Sequence, residues 1–276
     1  MKILKLSLTI LIFFILTVLT QVGGIVFLIS IYTNHWLNKW VTHKLLKTTY
    51  QFIYFTILYG ITTFLIVPII AKPFGRVPLP IKETNHLRPL NILTCFLNRN
   101  YVRPELHEAA IDIANKMNSN FEGTTVNYLD ANFPFINKFP LLPHLSHNDG
   151  KKLDLSFCYI DNKLNLPTNE APSFIGYGIC EEPLPHEKNT AEFCSENGYW
   201  QYSFLTKVVS QQNKPYFTFD SIRTRALMNI ITENNYVEKV FIEPHLKTRL
   251  NLTSNKIRFH GCQAVRHDDH IHLQVK

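Results

Sequence analysis

Two long apolar runs near the start of the chain dominate its hydrophobic pattern. Residues 10–31 are overwhelmingly Leu, Ile, Phe and Val, and a second uncharged run extends from Tyr50 to Ile70. Each run exceeds the ~20 apolar residues that a helix needs to cross a bilayer. The pattern predicts a membrane anchor over residues 1–72, with transmembrane helices at about 8–31 and 50–71.

A cleaved secretory signal peptide is the alternative interpretation of the first run, because Met1–Lys5 supplies a positively charged start. However, the apolar run continues past Gly23 and Gly24, which is longer than a signal core, and it has no small-residue cleavage site. An uncleaved helix is therefore the stronger interpretation. Three aromatic residues near the ends of the runs are of the kind found at membrane interfaces: Trp36, Trp40 and Tyr50.

The composition changes abruptly after Ala71. Pro73, Pro78 and Pro80 fix the backbone and remove hydrogen-bond donors, which predicts an extended linker over residues 73–88. Residues 89–276 are then sufficient for one soluble domain with its own hydrophobic core.

Both helices and strands are predicted in this domain. Pro104 begins a helix that continues through Met117, and Asp220 is positioned to cap a second helix through Ile231. Strands are predicted over 124–129, from Leu153 onward, over 237–242 and at the C-terminus. Because helices and short strands are mixed without a regular βαβ order, the class is predicted to be α+β with an antiparallel sheet.

The C-terminal segment Arg266–Lys276 has the clearest alternation of polar and apolar residues. As a strand, it places Ile271, Leu273 and Val275 on a core face, and His270, His272 and Gln274 on the opposite face. The two imidazoles are then about 7 Å apart. That spacing allows both side chains to converge on one ion or one reacting group.

A second group of histidines precedes the strand predicted from Leu153. His144 and His147 lie in a loop, and strand alternation after it points Asp154 away from the core, as it does His270 and His272. These two stretches contain five of the chain's 12 histidines. Because a catalytic zinc usually takes three nitrogen or oxygen ligands from the protein, the clustering predicts a metal site.

The spacing His144-x-x-His147-x6-Asp154, followed by His267-x-x-His270-x-His272, resembles that of the penicillin-insensitive murein endopeptidases. These are zinc peptidases of a wider group that includes the D-alanyl-D-alanine carboxypeptidases and the Hedgehog signalling domain. Residues 236–247 are similar to the strand and helix before the last histidine motif of that family. The resemblance covers the chain from about residue 90 to its end.

The resemblance implies one Zn²⁺ per domain, with His147, Asp154 and His272 as ligands. It also implies that His270 acts as a base or transition-state stabiliser and that His144 and His267 line the site. Residues 89–276 would then form a zinc metallopeptidase domain that hydrolyses amide bonds in peptidoglycan peptides, as an endopeptidase or a D,D-carboxypeptidase. Other first-row ions accept the same kinds of ligand.

Positive charges alone do not orient the predicted helices. The lysines between the runs, Lys39, Lys44 and Lys47, favour a cytoplasmic loop, whereas Lys2, Lys5, Lys72 and Arg76 favour the opposite arrangement. An even number of helices would place both termini on one side. Because a murein peptidase needs access to the cell wall, we expect the catalytic domain outside, the 39–47 loop inside and lipid around the helices.

Other functions are compatible with single features of the chain. The net charge of +7 suits anionic lipid, wall polymer or nucleic acid, but the soluble part has no basic run, so no nucleic-acid partner is expected. A histidine-rich membrane oxidase would need more spans and more histidines. The alternative to the peptidase is a catalytically inactive wall-binding or structural membrane protein that keeps the fold.

The five cysteines show no C-x-x-C spacing, so a cysteine zinc site is not expected. Cys180 and Cys194 bracket part of the irregular region 160–200, and their positions allow a disulfide between them in an oxidising compartment, although the sequence does not fix the pairing. Asp268 and Asp269 either orient a neighbouring histidine or lie solvated in a turn.

Overall fold

The computed structural model of the protein describes residues 2–37 and 43–276. Its N-terminal helices are α1 (Lys2–Thr20), α2 (Gly23–Leu37), α3 (Lys44–Ile61) and α4 (Val67–Ala71), with a π-helical turn, Thr62–Ile66, between the last two. Two helical stretches, Lys2–Thr20 and Leu45–Phe74, are long and apolar enough to cross a membrane. The roles expected of Lys39 and Trp40, and of the Trp36 side chain, lie outside the described residues.

The prediction of one helix over residues 8–31 is wrong. The chain reverses at Gln21, whose φ is 65°, and α2 packs back along α1. Gly24 allows the close approach, because a Cβ there would lie 2.6 Å from the carbonyl oxygen of Phe13. A run that is apolar on every side does not distinguish a long helix from a tight helical hairpin.

The turn between α1 and α2 contacts the C-terminal domain directly. The backbone N–H of Phe135 donates to Oε1 of Gln21 at 2.9 Å, and the side-chain amide of Asn98 donates to the carbonyl of Thr20 at 3.4 Å. A small buried cluster joins the two parts: Val22, Val67, Ala71 and Tyr101.

The N-terminus and the C-terminal domain lie at opposite ends of the helical region. Helix α1 approaches the domain with its C-terminal end, α2 leads away, and α3 returns to the domain through α4. The 19 residues of α1 place Lys2 about 27 Å from the turn. The expectation that both ends lie on one side of the membrane stays a prediction, because the packing of the helices does not by itself place them in a bilayer.

Residues 73–88 are built into the folded domain, so the prediction of an extended linker is wrong. Strand β1 (Val77–Pro78), followed in the chain by β2 (Leu87–Pro89), pairs with β3 (Tyr101–Val102). Arg76 is buried against Gly150, and its guanidinium donates to Asn137 at 2.6 Å. The prolines do restrict the backbone, but the adjoining apolar side chains are buried instead of spanning open space.

The other elements follow in a mixed order. The helices are α5 (Leu93–Phe96), α6 (Pro104–Asn120), α7 (Thr190–Glu196), α8 (Phe204–Val208), α9 (Ser221–Glu233) and α10 (Pro244–Arg249). The strands are β4 (Val126–Tyr128), β5 (Lys152–Ser156), β6 (Tyr159–Asp161), β7 (Leu166–Thr168), β8 (Phe217–Phe219), β9 (Val237–Phe241), β10 (Ile257–Arg258) and β11 (His270–Val275). Asp220 caps α9 as predicted, because its Oδ1 accepts from the backbone N–H of Arg223 at 3.0 Å.

A six-stranded sheet with the order β10-β9-β11-β5-β4-β2 carries the candidate site. The four central strands pair with one another antiparallel, whereas the two edge strands, β10 and β2, pair parallel to β9 and β4. Helices α6 and α9 pack together and contact the sheet, where the apolar residues of β5 and β11 enter the core. The predicted α+β class and the core face of the C-terminal strand are confirmed.

Candidate metal centre

The central strand pair brings three of the predicted site residues together. Strands β5 and β11 pair antiparallel so that His272 lies opposite Asp154 and His270 lies opposite Ser156. Because directly opposed residues project from the same face of a sheet, Asp154, His270 and His272 share one surface. All three side chains are buried.

His144 and His147 reach this surface from the loop before β5. Nδ1 of His147 lies 2.7 Å from the carbonyl oxygen of Ala131. Since a carbonyl can only accept, Nδ1 carries the proton and the lone pair of Nε2 points toward Asp154 and His272. The backbone thus fixes the tautomer that a metal ligand requires.

Three donor atoms form a tight group, which we call the ligand triangle: Nε2 of His147, Oδ1 of Asp154 and Nδ1 of His272. Nε2 of His147 lies 3.2 Å from Oδ1 of Asp154, Nδ1 of His272 lies 2.9 Å from that oxygen, and the two nitrogens are 3.1 Å apart. Bond lengths of 2.0–2.2 Å in a tetrahedral site separate ligand atoms by about 3.3 Å. The triangle therefore has the size and donor chemistry of a first-row metal site.

A second, overlapping group includes His144. Candidate ligand atoms of His144, His147 and Asp154 lie within 4.8 Å of one another, and all three residues are buried. Nδ1 of His144 is 3.3 Å from Oδ2 of Asp154 and 3.5 Å from Oδ2 of Asp130. Neither ring nitrogen of His144 has a hydrogen-bond partner in the described part of the chain. This buried group can hold a metal ion.

His270 is oriented by a carboxylate. Its Nδ1 lies 2.5 Å from Oδ1 of Asp269, and its Nε2 lies 3.8 Å from Oδ2 of Asp154 without a hydrogen-bond partner among residues 2–37 and 43–276. Burial lowers the pKa of His270, but the carboxylates of Asp154 and Asp269 raise it to about 9. Asp269 is buried, so it is not a solvated turn residue, and its contact with Nδ1 shows that it orients His270.

Asp154 and the neighbouring histidines shift one another's pKa values. Burial acts to raise the pKa of Asp154, but His147, His270 and His272 together hold that pKa well below its usual range. Burial lowers the pKa of His272 to about 3 against the opposing effect of Asp154. The centre therefore combines an ionised carboxylate with a neutral His272 at neutral pH, as metal binding requires.

Sequence reasoning missed Tyr177 and Asp130. The hydroxyl of Tyr177 donates to Oδ2 of Asp154 at 2.8 Å and accepts from the backbone N–H of Asp130 at 3.0 Å. Tyr177 thus holds the carboxylate oxygen that faces away from the ligand triangle. The sequence signal that could have found it is the glycine on each side, since Gly176 and Gly178 both have positive φ and fix a tight turn there.

His267 lies beside the centre and outside the ligand triangle. Its ring centroid is 4.9 Å from that of His270, and its backbone N–H donates to Oε1 of Glu243 at 3.1 Å. Tyr202 donates to the same oxygen at 2.5 Å. Burial, followed by repulsion from Asp268, raises the pKa of Glu243 to about 7. Glu243 and Tyr202 were also missed, because neither has a distinctive spacing from the histidines.

An open cleft of about 670 Å³ lies over the histidines. Six of them line it: His144, His147, His260, His267, His270 and His272. His260 was not predicted. Its ring centroid lies 6.0 Å from that of His272 and 5.3 Å from that of His267, so it belongs to the wall of the site.

The Cys180–Cys194 disulfide that the sequence allowed is not the one formed. Cys194 pairs with Cys262, with Cα atoms 5.3 Å apart, and Cys180 is a buried free thiol. The reason is the fold of the irregular region, which brings α7 against the loop before β11. Proximity along the chain favoured the wrong partner.

Comparison with known proteins adds no further identification. No model of a known protein family matches the chain, and no curated protein is significantly similar to it.

Proposed function

We propose that the protein is a membrane-anchored, zinc-dependent amide hydrolase. The observation that carries the proposal is the ligand triangle of His147, Asp154 and His272, with the oriented imidazole of His270 beside it. Three nitrogen and oxygen donors on a protein surface that opens to a cleft are typical of a catalytic zinc, which keeps one position for water or substrate.

Each residue of the centre then has a distinct task. Zinc, when bound, would polarise a scissile carbonyl and lower the pKa of a bound water. Ala131 and Tyr177 orient His147 and Asp154 through hydrogen bonds of 2.7 and 2.8 Å. His270 keeps Nε2 free of protein hydrogen bonds in the described structure, so it is the group available to exchange a proton with the reacting atoms.

The proposed substrate class is amide bonds in the peptides of peptidoglycan, and it comes from the resemblance of the two histidine motifs to those of the murein endopeptidases. The charges of the helical region support a position outside the cytoplasm. Lys2 and Lys5 on α1 and Lys47 on α3 all belong to the end remote from the domain. At the other end, Arg76 is buried in the domain and Lys72 is the exposed positive residue. Because positive residues gather on the cytoplasmic side of membrane helices, the domain would lie on the opposite side.

The activity is tested with purified crosslinked peptidoglycan. We expect the full chain in detergent to release new amino groups, and a zinc chelator to abolish the release until zinc is restored. His186→Ala, which changes an exposed histidine that does not line the cleft, serves as the matched control. Binding to peptidoglycan without any release by the zinc-loaded protein would favour the inactive wall-binding alternative.

The orientation is tested with reporters at each end of the chain. A phosphatase fused to the C-terminus should be active, and a fluorescent protein fused to the N-terminus should fluoresce. A fluorescent, phosphatase-negative fusion at the C-terminus would place the domain in the cytoplasm and contradict a peptidoglycan substrate.

A further inference from the structure

The cleft over the histidines has an apolar wall. Leu142 and Leu145 come from the loop that carries His144, whereas Trp200 and Phe204 come from the region around α8. Their exposed fractions are 49%, 56%, 70% and 47%. Large apolar side chains that remain exposed in a contiguous group mark a binding surface.

The same cleft has no group that could pair with a positive charge. Apart from histidines, its polar lining residues are Ser146, Gln201 and Gln263, and no Asp, Glu, Lys or Arg lines it within the described ranges. A positively charged substrate group entering this space would lose hydration without gaining an opposite charge. The lining therefore disfavours cationic side chains, and its apolar wall is complementary to apolar ones.

The wall is also held in place before any ligand binds. The Cys194–Cys262 disulfide joins α7 to the loop before β11, and Nε2 of Gln201 donates to the carbonyl of Cys262 at 3.3 Å. The rings of Trp200 and Phe204 pack edge to face with centroids 5.9 Å apart. A surface fixed in this way loses less conformational entropy when it binds a ligand.

We propose that Trp200 and Phe204, together with Leu142 and Leu145, form a specificity subsite for an uncharged apolar side chain next to the scissile amide. This inference rests on the proposed amide hydrolysis, because the subsite is continuous with the histidines in one cleft. In a peptidoglycan peptide, alanine methyl groups would contact this wall.

The test measures binding with two labelled, non-cleavable peptides of equal length, in which a reduced bond replaces the scissile amide. One peptide has leucine on both sides of that bond and the other has lysine. With the full chain in detergent, fluorescence anisotropy should show that the leucine peptide binds about tenfold more tightly. Trp200→Ala should remove most of this difference. Tyr216→Ala changes an exposed aromatic residue outside the cleft, and it should leave both affinities unchanged.

Equal binding of the two peptides by the wild-type protein would contradict the proposed subsite. So would an equal loss of both affinities in Trp200→Ala and in Leu145→Ser, a second variant on a different segment. Discrimination without any turnover of cleavable peptides would instead contradict the proposed hydrolysis. Turnover without discrimination would contradict the subsite alone.

Discussion

The histidines of this centre fall into two groups that differ in what holds them. In the ligand triangle, His147 and His272 direct nitrogens at Asp154 over 2.9–3.2 Å, and the backbone carbonyl of Ala131 fixes His147. His270, by contrast, is held by the carboxylate of Asp269 at 2.5 Å, with its other nitrogen free of protein hydrogen bonds in the described structure.

Under the proposed function, this difference gives one residue type two roles. A carbonyl partner orients an imidazole without adding charge, which suits a neutral metal ligand. A carboxylate partner favours the protonated ring, and with Asp154 it raises the pKa of His270 to about 9. Both histidines of β11 lie on one strand face, but Nδ1 of His272 faces Asp154 and His147, whereas Nδ1 of His270 faces Asp269. Under the proposed function, this difference separates metal binding from proton transfer.

The largest expected effect comes from removing Asp154, the carboxylate that faces histidines of both groups. Asp154→Ala should lose metal affinity and all zinc-dependent turnover, because its Oδ1 belongs to the ligand triangle and its Oδ2 faces His144 and His270. Competition with a chromophoric chelator measures the affinity. Asp112→Ala, on the exposed side of α6, should behave like the wild type; normal zinc affinity in Asp154→Ala would remove Asp154 from the ligand set.

His270→Ala sharpens the distinction between the two groups. Turnover should fall by about 10²- to 10⁴-fold, as for a lost general acid or base, whereas zinc affinity should change little. Steady-state rates at saturating zinc separate the two effects. A parallel loss of metal would make His270 a ligand and would require a new role for His272.

Tyr177→Phe tests the support behind the ligand triangle. Losing the hydroxyl that holds Oδ2 of Asp154 should weaken metal affinity or activity by about 10- to 100-fold. Tyr216→Phe is the matched control on an exposed tyrosine. Unchanged affinity and unchanged rates in Tyr177→Phe would mean that the strand pair alone positions Asp154.

Glu243→Gln should change the pH dependence of the protein's folding stability and not its catalytic rate. The pKa of Glu243 is raised from 4.5 to about 7 in the folded protein, so its contribution to stability is fully present below pH 4.5 and is lost as the pH rises toward 7. The wild type should therefore lose on the order of 2–3 kcal/mol over this range relative to the variant. Thermal denaturation of both proteins in detergent at pH 4.5 and 7.5 measures the difference; identical pH dependence would contradict the raised pKa.

The C-terminal strand was predictable because its two faces differ along the whole segment. Apolar Ile271, Leu273 and Val275 alternate with His270 and His272, and only a strand places these sets on opposite faces. The pairing partner was predictable in part, because Asp154 follows the same alternation on β5. The register that sets His272 opposite Asp154 depends on the whole sheet and was not.

The N-terminal helices were predicted less well for the opposite reason. The run over residues 10–31 is apolar on all sides, so no periodic contrast reveals the reversal at Gln21. That reversal is stabilised by contacts with Asn98 and Phe135, which are remote in sequence. Tyr177 and the Cys194–Cys262 disulfide were missed on the same grounds, since long-range folding alone brings them to the site.

Zinc content tests the central claim most directly. Elemental analysis of the purified full chain should find one zinc per wild-type chain and per His270→Ala chain, and much less than one in His272→Ala. This result would establish that the two histidines of β11 differ in role as their hydrogen-bond partners imply. A wild-type protein with no stoichiometric metal after gentle purification in zinc-containing buffer, or equal zinc in both variants, would contradict the account.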